Sequence, residues 1–398
     1  MPGVVFDAGQ YRTQVHASPH AIDPAVWDTL LAQQANPTPF MRWRYLAALH
    51  DSGSAVPETG WAPQFITLED QAGVTQAACA LYLKGHSYGE YVFDWAWADA
   101  YRRHGLRYYP KLLGAVPFTP VPGSRLLATN AAWRRRLAGA VAQFAKIAEL
   151  SSAHLLFTDE DDTAAFEAEG FMVRHGVQFH WTQDPTSPLT DFTDLLSRLQ
   201  RDKRKKIQQE RRRVADQGIG FTAHEGRAIT SELWEFFYRC YTLTYQAHGS
   251  SSPYLTRDFF AHMARDMAEH WLMFVARRES GEPVAASLIA IDRERGAAWG
   301  RYWGCTEPVS CLHFEACYYQ PLAWCIAERF SRFEGGAQGE HKMARGLLPV
   351  QTSSVHWLRD ERFAAAVADF LASEGQGIEG YVDELRERNP FKAQPPPG

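Results

Sequence analysis

The sequence predicts an α/β (α+β) protein in which a mixed, mostly antiparallel sheet flanked by helices is built twice. The chain has 398 residues, more than one hydrophobic core usually organises, so two domains of ordinary size are expected. Strand-like runs rich in β-branched and aromatic residues alternate with amphipathic helical runs in both halves. Between them "TQDPTSPLTD" (182–191) gathers two prolines with Ser, Thr and Asp, the strongest linker signal in the chain. Domains at 1–185 and 186–390 follow, with 391–398 read as a disordered tail.

In order along the chain, "VVFDAGQYRTQVHAS" reads as an opening strand, and Asp23 with Pro24 makes an N-cap and first-turn pair for a helix through "AVWDTLLAQQ". "NPTPFMRWRYLAALHDSG" is a turn and a helix. "PQFITLED" and "VTQAACALYLKGHS" flank a turn at Asp70 to Gly73 and suggest a hairpin. "YGEYVFDWAWADAYRRHG" is a strand running into a helix, followed by a Pro- and Gly-rich stretch. Residues 131–150 are helical, "HLLFT" is a short buried strand, and "DDTAAFEAEGFMVRHGVQFHW" is a helix, a Gly turn and a strand. Past the linker come helices at about 191–216, 231–247 and 256–269, then strands "WLMFVARR", "VAASLIAI" and "AAWGRYWG". Leu312, Ala316, Tyr319, Ala323, Ile326 and Phe330 form one apolar helical face, which Pro321 should kink or restart.

With 22% charged residues and a formal net charge of -5, the composition is globular and gives no chain-wide signal for nucleic acid. No basic and apolar leader opens the sequence and no window holds eighteen uninterrupted apolar residues, so a cytoplasmic protein without membrane insertion is expected. The six cysteines lack CxxC spacing and read as reduced thiols. No His, Cys, Asp and Glu spacing matches a metal site.

Several segments carry a family resemblance. "FEAEGF" (166–171) resembles the close of GNAT-type acyltransferases. "DLLSRLQRDKRKKIQQERRRVADQGI" (194–219) resembles the basic helix opening the second GNAT unit of FemAB-like proteins, and Phe333 to Gly346, "FEGGAQGEHKMARG", resembles the strand, Gly turn and Lys that end it. Over roughly residues 36–385 the chain resembles the FemAB-like N-acyltransferases of peptidoglycan biosynthesis or recognition. The resemblance implies tandem GNAT-like acyl-CoA N-acyltransferase domains, the first on the acceptor side, and transfer of an acyl group from an activated donor to the amine of a small molecule or peptide. The donor is an acyl-CoA or an aminoacyl-tRNA co-substrate, with no tightly bound cofactor. A non-catalytic module binding a peptidoglycan precursor or RNA is the alternative from another class. "RYWGCT" (301–306) is the nearest candidate for a pyrophosphate loop, with Thr306 departing from the small residue such loops carry.

Direct attack by an amine needs a proton acceptor, a stabilised oxyanion and alignment rather than a protein nucleophile. By resemblance Lys342 stabilises the oxyanion or a donor phosphate; a solvated surface lysine is the plain alternative. Glu340 and His341 are candidate proton acceptors, Glu315 a lower-ranked one, and Arg345 a clamp for phosphate or carboxylate. Arg301 and Tyr302, at a strand end, can face the same cleft. In the first half "LKGHSYGEY" groups Lys84, His86, Tyr88 and Glu90; alternation places the last three on one face if the strand continues, with Tyr108, Tyr109 and Lys111 as additions. Residues 198–213 hold nine basic and two acidic residues, centred on Lys203, Arg204, Lys205 and Lys206, and read as a solvated face or a contact for a tRNA backbone.

Overall fold

A computed structural model of the chain describes residues 5–7, 11–247, 249, 252–337 and 339–392. It divides into two compact units, one of 1–176 with 351–380 and one of 177–350 with the segment from Tyr381 onward. The units therefore differ from contiguous halves meeting at 185. Strand Leu348–Leu358 pairs its second half antiparallel with Ser152–Thr158, from Ser353 opposite Thr158 to Leu358 opposite Ser152. Helix Glu361–Glu387 then begins in the first unit, where Val367 and Leu371 pack with Trp97, Tyr101 and Tyr108. A partner some two hundred residues away leaves no local trace in the sequence.

In the first unit the opening strand is a hairpin of Val5–Asp7 and Arg12–His16; residues 8–10 of the expected strand lie outside the described residues. It joins Phe65–Glu69, Thr75–Cys79 and Leu126–Ala128 in one sheet. The expected second hairpin strand is two: Thr75–Cys79 pairs with Phe65–Glu69, whereas Tyr82–Lys84 pairs with Trp61–Pro63 and Lys111–Gly114. Strand Lys111–Gly114 runs parallel to Ser152–Thr158. Helix Ala131–Ile147, capped by Asn130, buries Leu137, Val141 and Phe144 against these strands. Asp23 caps helix Pro24–Ala32, its Oδ1 accepting from Ala25 N at 2.7 Å.

The second unit carries Ile219–Glu225, Trp271–Arg278, Pro283–Asp292 and Ala297–Cys305 as an antiparallel run. Ala297–Cys305 pairs parallel with Arg332–Glu334, which pairs antiparallel with the end of Met172–Thr182. The expected helix 191–216 breaks into Phe192–Arg198 and Arg201–Ala215, with Leu199 buried at the joint and Gln200 N bonded to Pro390 O at 2.8 Å. The disorder expected from 391 does not hold at its start: Phe391 bridges Leu199 and Lys392 N donates to Arg198 O at 2.8 Å. Residues 393–398 lie outside the described residues.

Pro321 acts upstream of itself. Its ring would collide with the carbonyl four residues earlier in an α-helix, and the turn before it, Glu315–Tyr319, is wound as a π-helix between Leu312–Phe314 and Gln320–Ala327. The wider turn accommodates the proline and sets Glu315, Tyr318 and Tyr319 at angles an α-helix would not give.

Candidate functional site

In the second unit two parallel strands part. Ala297, Ala298 and Trp299 face Arg332, Phe333 and Glu334; beyond them the first strand continues to Cys305 while the chain at Gly335 turns away. Backbone groups beyond such a parting have lost their ladder and need other partners. A β-bulge sits there: Ile289 opposes Gly300 and Leu288 opposes Tyr302, so Arg301 is the extra residue. "RYWGCT" is accordingly strand up to Cys305 and not a loop feeding a helix, and the expected pyrophosphate loop is absent at that place. Gly304 serves packing, since a Cβ there would lie 2.1 Å from Cys240 O.

The glycine-rich stretch wraps this opening. Gly335 has no room for a Cβ, which would meet Leu347 Cδ2 at 2.6 Å and Lys342 Cδ at 3.1 Å. Lys342 is buried, and its Nζ donates to Gly336 O at 2.8 Å and Ala337 O at 3.1 Å. Burial pulls its pKa down to about 8. An ammonium has three protons, so one remains after both carbonyls are served. His341 is exposed, with Nε2 3.2 Å from Tyr318 OH. Burial of part of its ring, then Arg345, Lys342 and Lys206, lower its pKa, which keeps the ring neutral at pH 7. A chain of rings, Trp303, His313, Tyr318 and His341, runs from strand to loop at centroid spacings of 5.1, 5.7 and 5.8 Å. Burial, then the neighbouring His341, Arg345 and Lys342, drop His313 to about 4. Burial pushes the Cys317 thiol up, which disfavours a thiolate nucleophile.

The other expected residues of this region are placed differently. Glu340 is exposed and accepts from Tyr381 OH at 2.6 Å. Glu315 is buried, held by Arg211 Nε at 3.1 and 3.2 Å and by Gln320 Nε2 at 2.7 Å. Arg345 is buried under Phe314, bonded to Glu210 at 2.9 Å and to His341 O at 2.6 Å. Its guanidinium is committed inside the protein. Tyr302 packs on Tyr241 and Phe260, with its OH 3.2 Å from Arg301 Nη2.

Sequence reasoning missed Glu334 and His180. They oppose each other across paired strands, Glu334 Oε2 lies 3.7 Å from His180 Nε2, and that oxygen is buried without a hydrogen-bond partner among the described residues. The available signal was an acidic residue closing a short Arg-Phe-Glu strand directly before two glycines. Also missed was Glu210, whose carboxylate joins Arg345 to Tyr319 OH.

The basic helix Arg201–Ala215 turns Ile207, Glu210 and Val214 inward. Lys203 pairs with Asp202 at 2.9 Å and, with Arg204, is half-buried, while Arg201, Lys205, Lys206, Arg212 and Arg213 are exposed. Lys206 is near enough to His341 for its charge to act on the imidazole.

In the first unit the expected cluster exists, but the strand does not continue past Lys84. Residues 85–94 are a loop, so alternation does not set its faces. Lys111 is fully buried, with Nζ 2.8 Å from Glu90 Oε2, 2.9 Å from Ser87 Oγ and bonded to Asp94. Tyr108 OH donates to Asp94 at 2.6 Å, and His154 and His356, which no motif marked, complete the network at 2.8 Å from each other. Burial opposes the charge on Lys111, but Glu90 and Asp94 hold its pKa up. Burial also raises Glu90 to about 7, whereas Lys111 and His154 outweigh burial at Asp94 and keep it ionised. Lys84 Nζ sits 3.6 Å over the Trp61 ring, its pKa pulled by burial to about 7. Of the expected cluster, His86 and Tyr109, half-buried, and Tyr88, exposed, reach the surface.

The first unit has its own parting, after Gly114 and Leu155. Here buried Arg125 serves a freed carbonyl, its Nε donating to Leu156 O at 3.0 Å, and its Nη1 donates to Gly123 O at 3.2 Å in its own segment, while Gly123 N donates to Phe157 O at 3.0 Å. Among the described residues no group of three or more His, Cys, Asp or Glu side chains is placed to share a metal ion, and no helix is long and apolar enough to cross a membrane.

Two units of mixed sheet, each with a parallel pair that parts, define a tandem GNAT-type fold. Solved structures share it: FemX, at 10% identity and a TM-score of 0.52, covering 87% of this chain and 98% of that one; L-PGS from Bacillus licheniformis, at 11% and 0.51, covering 88% and 96%; and the C-terminal domain of a putative lysylphosphatidylglycerol synthetase from Agrobacterium fabrum, at 9% and 0.53, covering 89% and 97%. At these identities the likeness is one of fold. The chain belongs to the FemAB-like family of peptidoglycan biosynthesis/recognition, whose model matches residues 18–393. No curated protein matches it significantly.

Proposed function

We propose that the protein transfers an aminoacyl group from tRNA to an amine, with the chemistry in the parted strands of the second unit. The observation that carries this reading is the Lys342 ammonium, buried beside the parting with a proton to spare. The donor's ester carbonyl enters the opening and the acceptor amine attacks its carbon. The Lys342 proton meets the developing oxyanion, in a buried setting where such a contact acts strongly. His341, neutral at pH 7, takes the amine proton; Glu334 is the second candidate. The C–N bond forms as the ester C–O bond breaks, and the proton passes to the departing ribose oxygen. Glu315, Glu340 and Arg345 position: Arg345 holds the His341 carbonyl, Glu315 ties the π-helical turn to the basic helix, and Glu340 fixes its end of the loop through Tyr381.

The exposed basic residues beside His341 favour tRNA as donor, as does the extended strand at 301–305 where a pyrophosphate loop was expected. The family description favours an acceptor amine on a peptidoglycan precursor. An acyl-CoA donor is the second reading, supported by the fold. Thermal melts with coenzyme A, acetyl-coenzyme A, charged tRNA and uncharged tRNA, at low and moderate salt, separate the two. Stabilisation by tRNA that weakens with salt is expected. Stabilisation by the coenzyme alone would establish the second reading, and a response to none would favour a binding module.

A further inference from the structure

The network of the first unit does more than bury charge, because the loop it holds also carries a cluster of exposed rings. Tyr88, Tyr91, Phe93 and Trp95 are exposed by 57, 37, 52 and 39% within eight residues, a density of uncovered aromatic surface that single surface residues do not produce. The backbone carrying them is pinned. Lys84 Nζ donates to Tyr88 O at 3.3 Å, Phe118 N to Gly89 O at 3.3 Å, and Arg174 Nη1 to Phe93 O at 2.7 Å. Arg174 is itself gripped by both carboxylate oxygens of Glu374 at 2.8 Å. Glu90 and Asp94 turn inward to Lys111, so the residues between and after them turn out. Phe370, 46% exposed, lies one turn before Glu374 on the same helical side.

Behind the rings, helix Trp95–Arg103 ends in an exposed stretch, 102–107, holding Arg102, Arg103, His104, Leu106 and Arg107. Arg102 pairs with Asp99 at 3.0 Å, whereas Arg103 and Arg107 make no ion pair among the described residues. Tyr and Trp prefer the boundary between headgroups and acyl chains, and arginine beside them is drawn to anionic headgroups. The rings sit on one folded-back loop, with Tyr88 against Trp95 at 4.9 Å between centroids, and such a cluster suits a fluid boundary, which asks for no complementary shape.

We propose that residues 88–107 form a docking surface for an anionic lipid bilayer, with the Phe93 and Trp95 rings at headgroup level and Arg103 and Arg107 against lipid phosphates. The contact is peripheral and independent of the transfer chemistry. Co-sedimentation of the full chain with vesicles of phosphatidylcholine alone, and of phosphatidylcholine with an equal part of phosphatidylglycerol, tests it. The wild type is expected to bind the mixed vesicles and to bind the neutral ones far less. Phe93→Ser with Trp95→Ser should weaken binding by roughly tenfold or more for each ring. Arg103→Ala with Arg107→Ala should remove the preference for phosphatidylglycerol, roughly fivefold per arginine. These positions are exposed, so unchanged melting curves show that each variant is folded. Binding to neither vesicle would overturn the proposal and leave the rings to a protein partner; binding untouched by the ring variant would overturn it equally.

Discussion

Lys111→Met tests whether the first unit depends on a compensated buried charge. The ammonium is 0% exposed, between Glu90 at 2.8 Å and Asp94. Methionine keeps the length and loses the charge, leaving two carboxylates against each other out of solvent, with only Lys84, itself drawn down to about 7, as a nearby cation. Removing one partner of a buried pair costs about 3–5 kcal/mol. In a unit of this size each kcal/mol moves the melting point by roughly 2–4 °C, so a fall of about 6–20 °C is expected. The loss should depend on pH in a stated direction. Without Lys111 both carboxylates have folded pKa values above their unfolded values of about 4, so the folded state binds more protons and stability recovers as pH falls. Wild type and variant should therefore differ most at neutral pH and least near pH 5 in calorimetry or circular dichroism. Adding Glu90→Gln and Asp94→Asn should restore much of the loss, since the residues then carry no charge to compensate. A variant melting within about 2 °C of wild type, or with a deficit unchanged by acidification, would show that the network is not held by charge.

Three further outcomes are expected. Lys342→Ala should lower transfer by about 100-fold or more, the scale of one lost oxyanion donor, with the far-ultraviolet spectrum retained; full activity would remove Lys342 from the mechanism. Lys205→Gln, Lys206→Gln and Arg212→Gln together should weaken tRNA binding and flatten its salt dependence by roughly 0.7–0.9 per charge on a log–log plot, and an unchanged slope would separate the helix from the nucleic acid. Lys342 titrates at about 8 when folded and at about 10.4 when unfolded, so the unfolded chain binds more protons between those values and stability should climb as pH rises through them. Denaturant titrations across that window should show a shallower climb for Lys342→Met, with Lys84, pulled down to about 7, supplying the remainder.

Local chemistry made much of the fold legible. The cap at Asp23, the strands of the second half and the disturbance at Pro321 each follow from residues within a turn or two of one another. Helix Glu361–Glu387 did not announce itself: Gly375, Gly377 and Gly380 interrupt it, and its first half folds against residues near 100. The site was legible by residue type and less so by role. Glu340, His341, Lys342 and Arg345 are consecutive or nearly so, yet a 3-10 turn sends Glu340 to the surface and Lys342 and Arg345 inward. Glu210 and the His154–His356 pair carried no motif because Glu210 bonds Tyr319 and Arg345, 109 and 135 residues away, and the two histidines lie 202 residues apart.

The two partings differ in a way that supports placing the proposed chemistry in the second unit. Both expose carbonyls at the edge of a parallel pair, and in both a cation from the chain's own sequence satisfies them. Arg125 reaches its carbonyls from a Pro- and Gly-rich segment whose Gly123 also bonds the strand and has no room for a Cβ, which would lie 2.8 Å from Asn36 O. That arrangement closes the gap with protein. Lys342 serves its two carbonyls from a loop of glycines and keeps a proton unspent, beside a neutral imidazole and an exposed basic helix. One geometry is thus a strut in the first unit, and in the second it leaves an ammonium proton that the proposed mechanism assigns to the oxyanion.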